Sequence, residues 1–204
     1  MRYLKTYRVF ESEPTLTEDQ IGWLNSCTAG SWKLNPTTRL IDVDGDFDCS
    51  SKSLTDLKGI KFGEVSGDFY CNNNQLTSLE GAPQTVDGSF SCENNQLTSL
   101  VGAPQTVVRD FSCENNQLTS LKGAPQSVGG SFSCNGNPVS KETLTSIFAL
   151  MKKGKSYQQA LEEHWPKMNS DDRALMYKDL KDLTPEEVRK YQALATVNRI
   201  KNYL

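Results

Sequence analysis

The strongest constraint on this chain is a repeat of 21 residues in its central part. Five of its six cysteines stand at positions 49, 71, 92, 113 and 134, so the spacings between them are 22, 21, 21 and 21 residues. The neighbouring residues repeat as well: residues 68–79 read DFYCNNNQLTSL, and residues 89–100 read SFSCENNQLTSL. Self-similarity at a fixed period of about 20 to 29 residues is typical of a solenoid, in which each repeat stacks on the next. The sequence therefore predicts a stacked-repeat fold.

Each repeat starts with a short segment whose apolar residues alternate as in a β-strand. Phe90 and Cys92 are two residues apart, so both side chains point to the same side of an extended chain, into the core. We expect Asn95 to turn the chain off the strand and to satisfy buried backbone groups through its side-chain amide. Gly102, which is followed by Ala and Pro, predicts a tight, irregular back with no room for a helix.

The spacing Phe90-x-Cys92-x-x-Asn95-x-Leu97 resembles the core pattern of the leucine-rich repeat, with Phe and Cys at the first two apolar positions. The longer run Asn-Asn-Gln-Leu-Thr-Ser-Leu-x-Gly-Ala-Pro resembles the repeats predicted in large tailed bacteriophages, and it is also similar to the repeats of bacterial type III effectors. The resemblance covers residues 40–139 and implies an α/β-type solenoid with short parallel β-strands and an irregular back. It implies little about function, because function depends on a site and not on a scaffold.

The composition divides the chain into an N-terminal cap, a repeat region of five units with the last one truncated, and a C-terminal all-α segment, at residues 1–39, 40–139 and 140–204. A solenoid needs such caps because its terminal repeats otherwise expose apolar edges. In the first part we predict a helix within residues 15–30. In the last part, helix starts are predicted at Ser140, Ser156, Ser170 and Thr184.

The evenly spaced cysteines allow three interpretations: core packing, disulfides or metal binding. Metal-binding cysteines usually follow a C-x₂₋₄-C spacing, which does not occur in this sequence. At an inward strand position a cysteine behaves as a small buried hydrophobe, and we favour this interpretation. Unpaired thiols in turn favour a reducing compartment.

An acidic run between Asp42 and Asp48 resembles the start of an EF-hand calcium loop. The sixth position of that loop requires Gly and is Phe47 here, and the twelfth position is Ser53 in place of Glu. We therefore interpret the run as a strand with an acidic outer face, with calcium as the less favoured alternative. No metal site or cofactor is predicted.

Several classes of function are disfavoured by what the sequence lacks. It contains one histidine, His164, and no recognisable nucleophile or phosphate-binding motif, which argues against an enzyme. The net charge of −3 argues against general nucleic-acid affinity. The sequence contains no run of eighteen apolar residues and no apolar signal-peptide core, so neither a membrane helix nor secretion by a signal peptide is expected.

The candidate binding surface is the outward side of the strand ladder, where each repeat presents three polar positions. This surface is acidic and rich in hydroxyl groups, which favours a basic protein partner and disfavours phosphate backbones. The alternative is that small polar residues only keep the ladder soluble. The candidate partner-binding residues are Asp46, Asp48, Asp68, Tyr70, Asn72, Ser91, Glu93, Asp110, Ser112 and Glu114.

The first thirteen residues carry a separate signal. The segment from Leu4 to Glu13 resembles the capsid-targeting peptides of internal proteins in T4-like phages, and that resemblance implies cleavage after Val9-Phe10-Glu11. Alternatively, the apolar residues of this segment form an amphipathic start that packs on the N-terminal cap.

These observations favour a non-enzymatic, phage-encoded protein-binding module that acts in the host cytoplasm or in the virion. The alternative is a structural virion component that contacts capsid protein through its flanks. A secreted effector with ligase activity ranks third, because no cysteine follows Cys134 to act as its nucleophile.

Overall fold

The computed structural model describes residues 16–176, and these form a parallel β-solenoid of about four turns with helices at both ends. In chain order the strands are β1 Ser31–Leu34, β2 Ile41–Asp44, β3 Phe47–Asp48, β4 Phe62–Val65, β5 Phe69–Tyr70, β6 Thr85–Val86, β7 Phe90–Ser91, β8 Thr106–Val107, β9 Phe111–Ser112, β10 Ser127–Val128 and β11 Phe132–Ser133. The helices are α1 Glu18–Cys27, α2 Lys141–Lys152, α3 Tyr157–His164 and α4 Ser170–Met176.

The strands form two sheets that run along the solenoid on different sides. The five-stranded front sheet has the order β11-β9-β7-β5-β3, and all its neighbours are parallel. The six-stranded back sheet has the order β1-β2-β4-β6-β8-β10, and only β1 is antiparallel. In both sheets equivalent residues pair, for example Phe90 with Phe111 and Val86 with Val107. The 21-residue period of the sequence is therefore one turn of the solenoid.

The back sheet was not predicted, since the sequence indicated an irregular back. The chain after each Gly-Ala-Pro segment instead pairs over two residues, of which Val86 and Val107 are fully buried. β-Branched residues favour extended backbone, and the register is fixed because these valines point into the core.

Phenylalanines stack along the core of the solenoid. Successive rings from Phe47 to Phe132 lie 5.2 to 5.6 Å apart between centroids, with planes within 17°. Trp23 of α1 packs edge-on against Phe47 at one end, and Phe148 of α2 stacks on Phe132 at the other. The two caps thus extend the stack and cover its open ends.

The asparagines after the front strands satisfy buried backbone groups, as predicted, and they also join successive turns of the solenoid. The Asn95 side chain donates hydrogen bonds to the carbonyl oxygens of Cys71 in the preceding turn and Cys92 in its own, at 3.0 and 3.1 Å. Its Oδ1 accepts a hydrogen bond from the Leu76 backbone N–H at 2.9 Å. Asn74, Asn116 and Asn137 make equivalent contacts.

All six cysteines are free and buried, which confirms the core-packing interpretation. The thiols of Cys71, Cys92 and Cys113 each donate a hydrogen bond to a carbonyl oxygen of the next turn, at 3.3 to 3.4 Å. Because burial raises their pKa well above the ordinary value for a thiol, these cysteines are held in the protonated form.

The caps begin where the sequence predicted them. Thr17 forms a capping box with Gln20 at the start of α1, and the Ser140 and Ser156 hydroxyls accept hydrogen bonds at the starts of α2 and α3. The C-terminal helices are joined through Asp172, whose carboxylate accepts hydrogen bonds from Ser140, Thr143 and Asn169. The predicted targeting peptide, residues 1–13, and the predicted helix from Thr184 lie outside the described residues.

Candidate functional site

All ten predicted binding residues lie on the outward side of the front sheet, which we call the front face. Asp46, Asp48 and Asp110 are exposed, and the other seven are half-buried. The face consists of three columns along the solenoid, which are Asp46, Asp68, Ser89, Asp110 and Ser131, then Asp48, Tyr70, Ser91, Ser112 and Ser133, then Ser50, Asn72, Glu93, Glu114 and Asn135. The structure therefore brings the predicted residues together on one continuous surface.

The carboxylates of the first column are fixed by the backbone of the next turn. Asp46 Oδ1 accepts a hydrogen bond from the Asp68 backbone N–H at 2.7 Å, and Asp68 Oδ1 accepts one from Ser89 at 2.6 Å. Asp110 makes the same contact with Ser131 at 2.7 Å. These charge-assisted bonds hold the carboxylates of the first column in fixed positions.

The third column is fixed by bonds between side chains of neighbouring strands. The Ser112 hydroxyl donates to Glu93 Oε2 at 3.0 Å, and the Asn135 amide donates to Glu114 Oε1 at 2.6 Å. Each glutamate uses one carboxylate oxygen in these bonds. Its side chain is half-buried, so part of it is exposed to solvent. An ionised carboxylate has about four acceptor positions, so both glutamates keep capacity for donors from outside.

Tyr70 is the single aromatic residue in the three columns. Its hydroxyl donates a hydrogen bond to Asp68 Oδ2 at 2.8 Å, which ties the second column to the first. This hydrogen bond to Asp68, together with partial burial, raises the pKa of Tyr70 to about 12. The phenol therefore remains neutral and stays a donor to Asp68 at neutral pH. Tyrosine combines a large apolar ring with a polar tip, the residue type enriched at protein interfaces.

The front face also carries many of the differences between otherwise identical repeats. The three full repeats, residues 68–88, 89–109 and 110–130, differ at seven of 21 positions, and three of those seven are the outward front-face positions. In contrast, Gln75, Gln96 and Gln117 are exposed on another side of the solenoid and are identical. Exposure alone therefore does not account for the variation on the front face.

All the charged residues of the front face are acidic. Its fifteen positions contain six acidic residues and neither lysine nor arginine; the acidic ones are Asp46, Asp48, Asp68, Glu93, Asp110 and Glu114. Such a surface attracts basic groups, and it repels phosphate.

Sequence reasoning missed a second acidic surface, because it depends on the back sheet. Asp42, Asp44, Glu64 and Asp87 line an open groove of about 320 Å³ together with Lys33. The acidic run that resembled a calcium loop is divided between the two sheets, since Asp42 and Asp44 belong to β2 whereas Asp48 belongs to β3. The signal in the sequence that could have revealed this surface is the presence of acidic residues at the outward positions of a segment rich in β-branched residues.

Among residues 16–176 there is no group of three or more histidine, cysteine, aspartate or glutamate side chains arranged to hold a metal ion. The helices of this region are all too short or too polar to span a bilayer. Comparison with known protein families, curated proteins and solved structures gave no match to the chain.

Proposed function

We propose that this protein is a non-enzymatic binding module whose front face docks a protein with a basic surface. The observation that carries the proposal is the set of six carboxylates, unaccompanied by any basic residue, on a polar face whose three outward positions all differ between the repeats. A specific interface requires such local differences, since a perfectly uniform face offers a partner several equivalent registers.

The hydrogen bonds within the front face support this proposal. Side chains that are already ordered lose little conformational entropy on binding, which leaves more of the interaction energy for affinity. Glu93 and Glu114 are held by their neighbours in this way. Tyr70 adds a large, partly exposed ring one strand from the N-terminal end of the face, and tyrosines are common among residues that dominate binding energy.

The proposed setting follows from the resemblance of the repeats to the leucine-rich repeats of large tailed bacteriophages. In that setting the basic partner is a protein of the infected cell or of the virion, a capsid protein included.

The proposal is tested by reversing charges on the front face. The variant Asp48→Lys/Glu93→Lys changes two front-face carboxylates to amines. The matched control Glu80→Lys/Asp87→Lys makes the same change in charge at exposed residues of a turn and of the back-sheet side. Each protein is immobilised after its folding has been verified by circular dichroism, and the proteins retained from an extract of the source cells are identified by mass spectrometry.

We expect the wild type and the control to retain one predominant protein, and the front-face variant to retain at least about tenfold less of it, because close charge pairs contribute to association. Equal retention by all three proteins would contradict the proposal. Loss of retention in the control alone would indicate that the interface lies on the back-sheet side.

A further inference from the structure

The last turn of the solenoid contains an asparagine followed by a glycine, Asn135 and Gly136, directly after the final front strand β11. It is the only Asn-Gly pair in the sequence. Because glycine has no side chain, nothing on Gly136 hinders the approach of its backbone nitrogen to the side chain of the residue before it. The side-chain carbonyl carbon of Asn135 is therefore open to attack by that nitrogen.

The backbone N–H of Gly136 differs from its counterparts in the earlier turns, because no further turn of the solenoid follows it. In those turns the N–H at this position donates a hydrogen bond to a carbonyl oxygen of the next turn, at 2.8 to 3.0 Å. The donor and acceptor pairs are Asn73 with Glu93, Asn94 with Glu114, and Asn115 with Asn135. Within residues 16–176 the Gly136 N–H has no such acceptor, and the residue is exposed to solvent. Its nitrogen is therefore available where the equivalent nitrogens are held.

We propose that Asn135 is a site of spontaneous deamidation in the folded protein. The Gly136 nitrogen loses its proton to a base of the solvent and attacks Cγ of Asn135. The N–Cγ bond forms, the Cγ–Nδ2 bond breaks, and the amide nitrogen takes up a proton from solvent and leaves as ammonia. Water then opens the resulting succinimide ring, at Cγ to give aspartate or at the backbone carbonyl carbon to give isoaspartate. Neither step is an oxidation or a reduction, and water is the only co-reactant.

The product changes the C-terminal end of the third column of the front face. Asn135 Nδ2 donates a hydrogen bond to Glu114 Oε1 at 2.6 Å, so the amide is paired with a carboxylate before the reaction. Deamidation replaces that donor with a second carboxylate, and two like charges then face each other across neighbouring turns. The reaction thus breaks one contact of the front face and adds a negative charge to it. The chemistry at Asn135 is independent of whether the front face binds a partner.

The variant Asn73→Gly tests the inference, because it creates a second Asn-Gly pair at Asn72, in a turn that another turn follows. Asn73 is exposed and has a φ of +55°, so glycine fits there without the loss of a core contact, and the residue 73 N–H keeps its hydrogen bond to Glu93. The full-length variant is incubated at pH 8 after circular dichroism has verified its fold. Peptide mass spectrometry then measures the conversion of each amide to the acid over time.

In the folded variant we expect Asn135 to react at least about tenfold faster than Asn72, because a hydrogen-bonded amide reacts only after local opening. In urea, where neither amide is paired, the two asparagines should react at similar rates. Equal rates in the folded variant would overturn the inference, as would no conversion of Asn135 in the time in which the unfolded chain reacts. The same preference for Asn135 in urea would also overturn it, since the neighbouring residues would then select the site instead of the unpaired N–H.

Discussion

The Asp68 carboxylate occupies the space in which a side chain on Gly88 would lie. Asp68 bends over the next turn to accept the hydrogen bond from the Ser89 backbone, and only a residue without Cβ leaves room for it. The same relationship joins Asp46 to Gly67 and Asp110 to Gly130. In the turn where the shorter Ser89 replaces aspartate, the next turn carries Arg109 in place of glycine. Aspartate in one turn thus accompanies glycine in the next.

This pairing predicts that Gly88→Ala destabilises the solenoid. The added Cβ overlaps the Asp68 carboxylate and the Gly67 backbone, so one of them must move. We expect the free energy of unfolding to fall by about 1 to 3 kcal/mol, as for other overpacked sites. Denaturation with guanidinium chloride measures the change.

The complementary substitution tests the rule in reverse. Ser89→Asp should destabilise the protein while Arg109 is present, and Arg109→Gly in the same chain should relieve the cost. The single variant Arg109→Gly serves as the control for the effect of glycine alone, which is about 0.5 to 1 kcal/mol. Purely additive effects in this double-mutant cycle would contradict the proposed pairing.

The buried amide of Asn95 provides a second prediction. Asn95→Asp keeps the shape but turns a donor toward the carbonyl oxygens of Cys71 and Cys92 into an acceptor. Because a buried charge then faces unpaired acceptors, we expect a loss of about 3 kcal/mol or more in the free energy of unfolding at pH 7. The matched control Gln96→Glu makes the same chemical change at an exposed amide and should shift stability by less than about 0.5 kcal/mol. Equal effects of the two substitutions would show that the Asn95 contacts contribute nothing specific.

A third prediction concerns the reactivity of the thiols. Burial raises the pKa of Cys92 and Cys113 well above the ordinary value, whereas burial raises that of Cys134 only to about 11. Cys27 lines an open groove beside Asp48 and Lys52. In native protein at pH 8, iodoacetamide should therefore label Cys27 and Cys134 first, and all six thiols should react after unfolding. Peptide mass spectrometry gives the order, and labelling of Cys92 as fast as Cys27 would be inconsistent with a closed core.

The C-terminal cap should be sensitive to acid through Asp172. Burial alone would raise the pKa of this carboxyl, but hydrogen bonds from Ser140, Thr143 and Asn169 outweigh it and lower the pKa below the ordinary value of 3.8. A lowered pKa stabilises the fold above the pKa of the unfolded chain, and this contribution is lost as the pH falls through the folded-state value. Protection of the α2 amides from hydrogen exchange should thus decline below about pH 4, and Asp172→Asn should abolish that pH dependence.

The repeat and its inward residues were predictable because stacking imposes one period on every turn. Phe90, Cys92 and Asn95 occupy the predicted positions, α1 lies within the predicted residues 15–30, and α2 and α3 start at the predicted Ser140 and Ser156. Local capping chemistry and strand alternation are properties of a few neighbouring residues, which a single sequence displays directly.

The back sheet and the contacts within the front face were not predictable in the same way. A pair as short as Thr85-Val86 carries too little periodicity to be identified as a strand until the neighbouring turns align with it. The bond between Asp68 and Ser89 joins residues 21 positions apart, and its only trace in the sequence is the accompanying glycine at position 88.

Site-specific photo-crosslinking tests the proposed front-face interface most directly. A benzoylphenylalanine placed at Ser91, in the middle of the face, is compared with one at Gln96, which is exposed on another side of the solenoid. If the front face docks a protein, irradiation in the source cells yields one predominant crosslinked species from position 91 and none from position 96. The same species from both positions, or crosslinks from position 96 alone, would contradict a front-face interface.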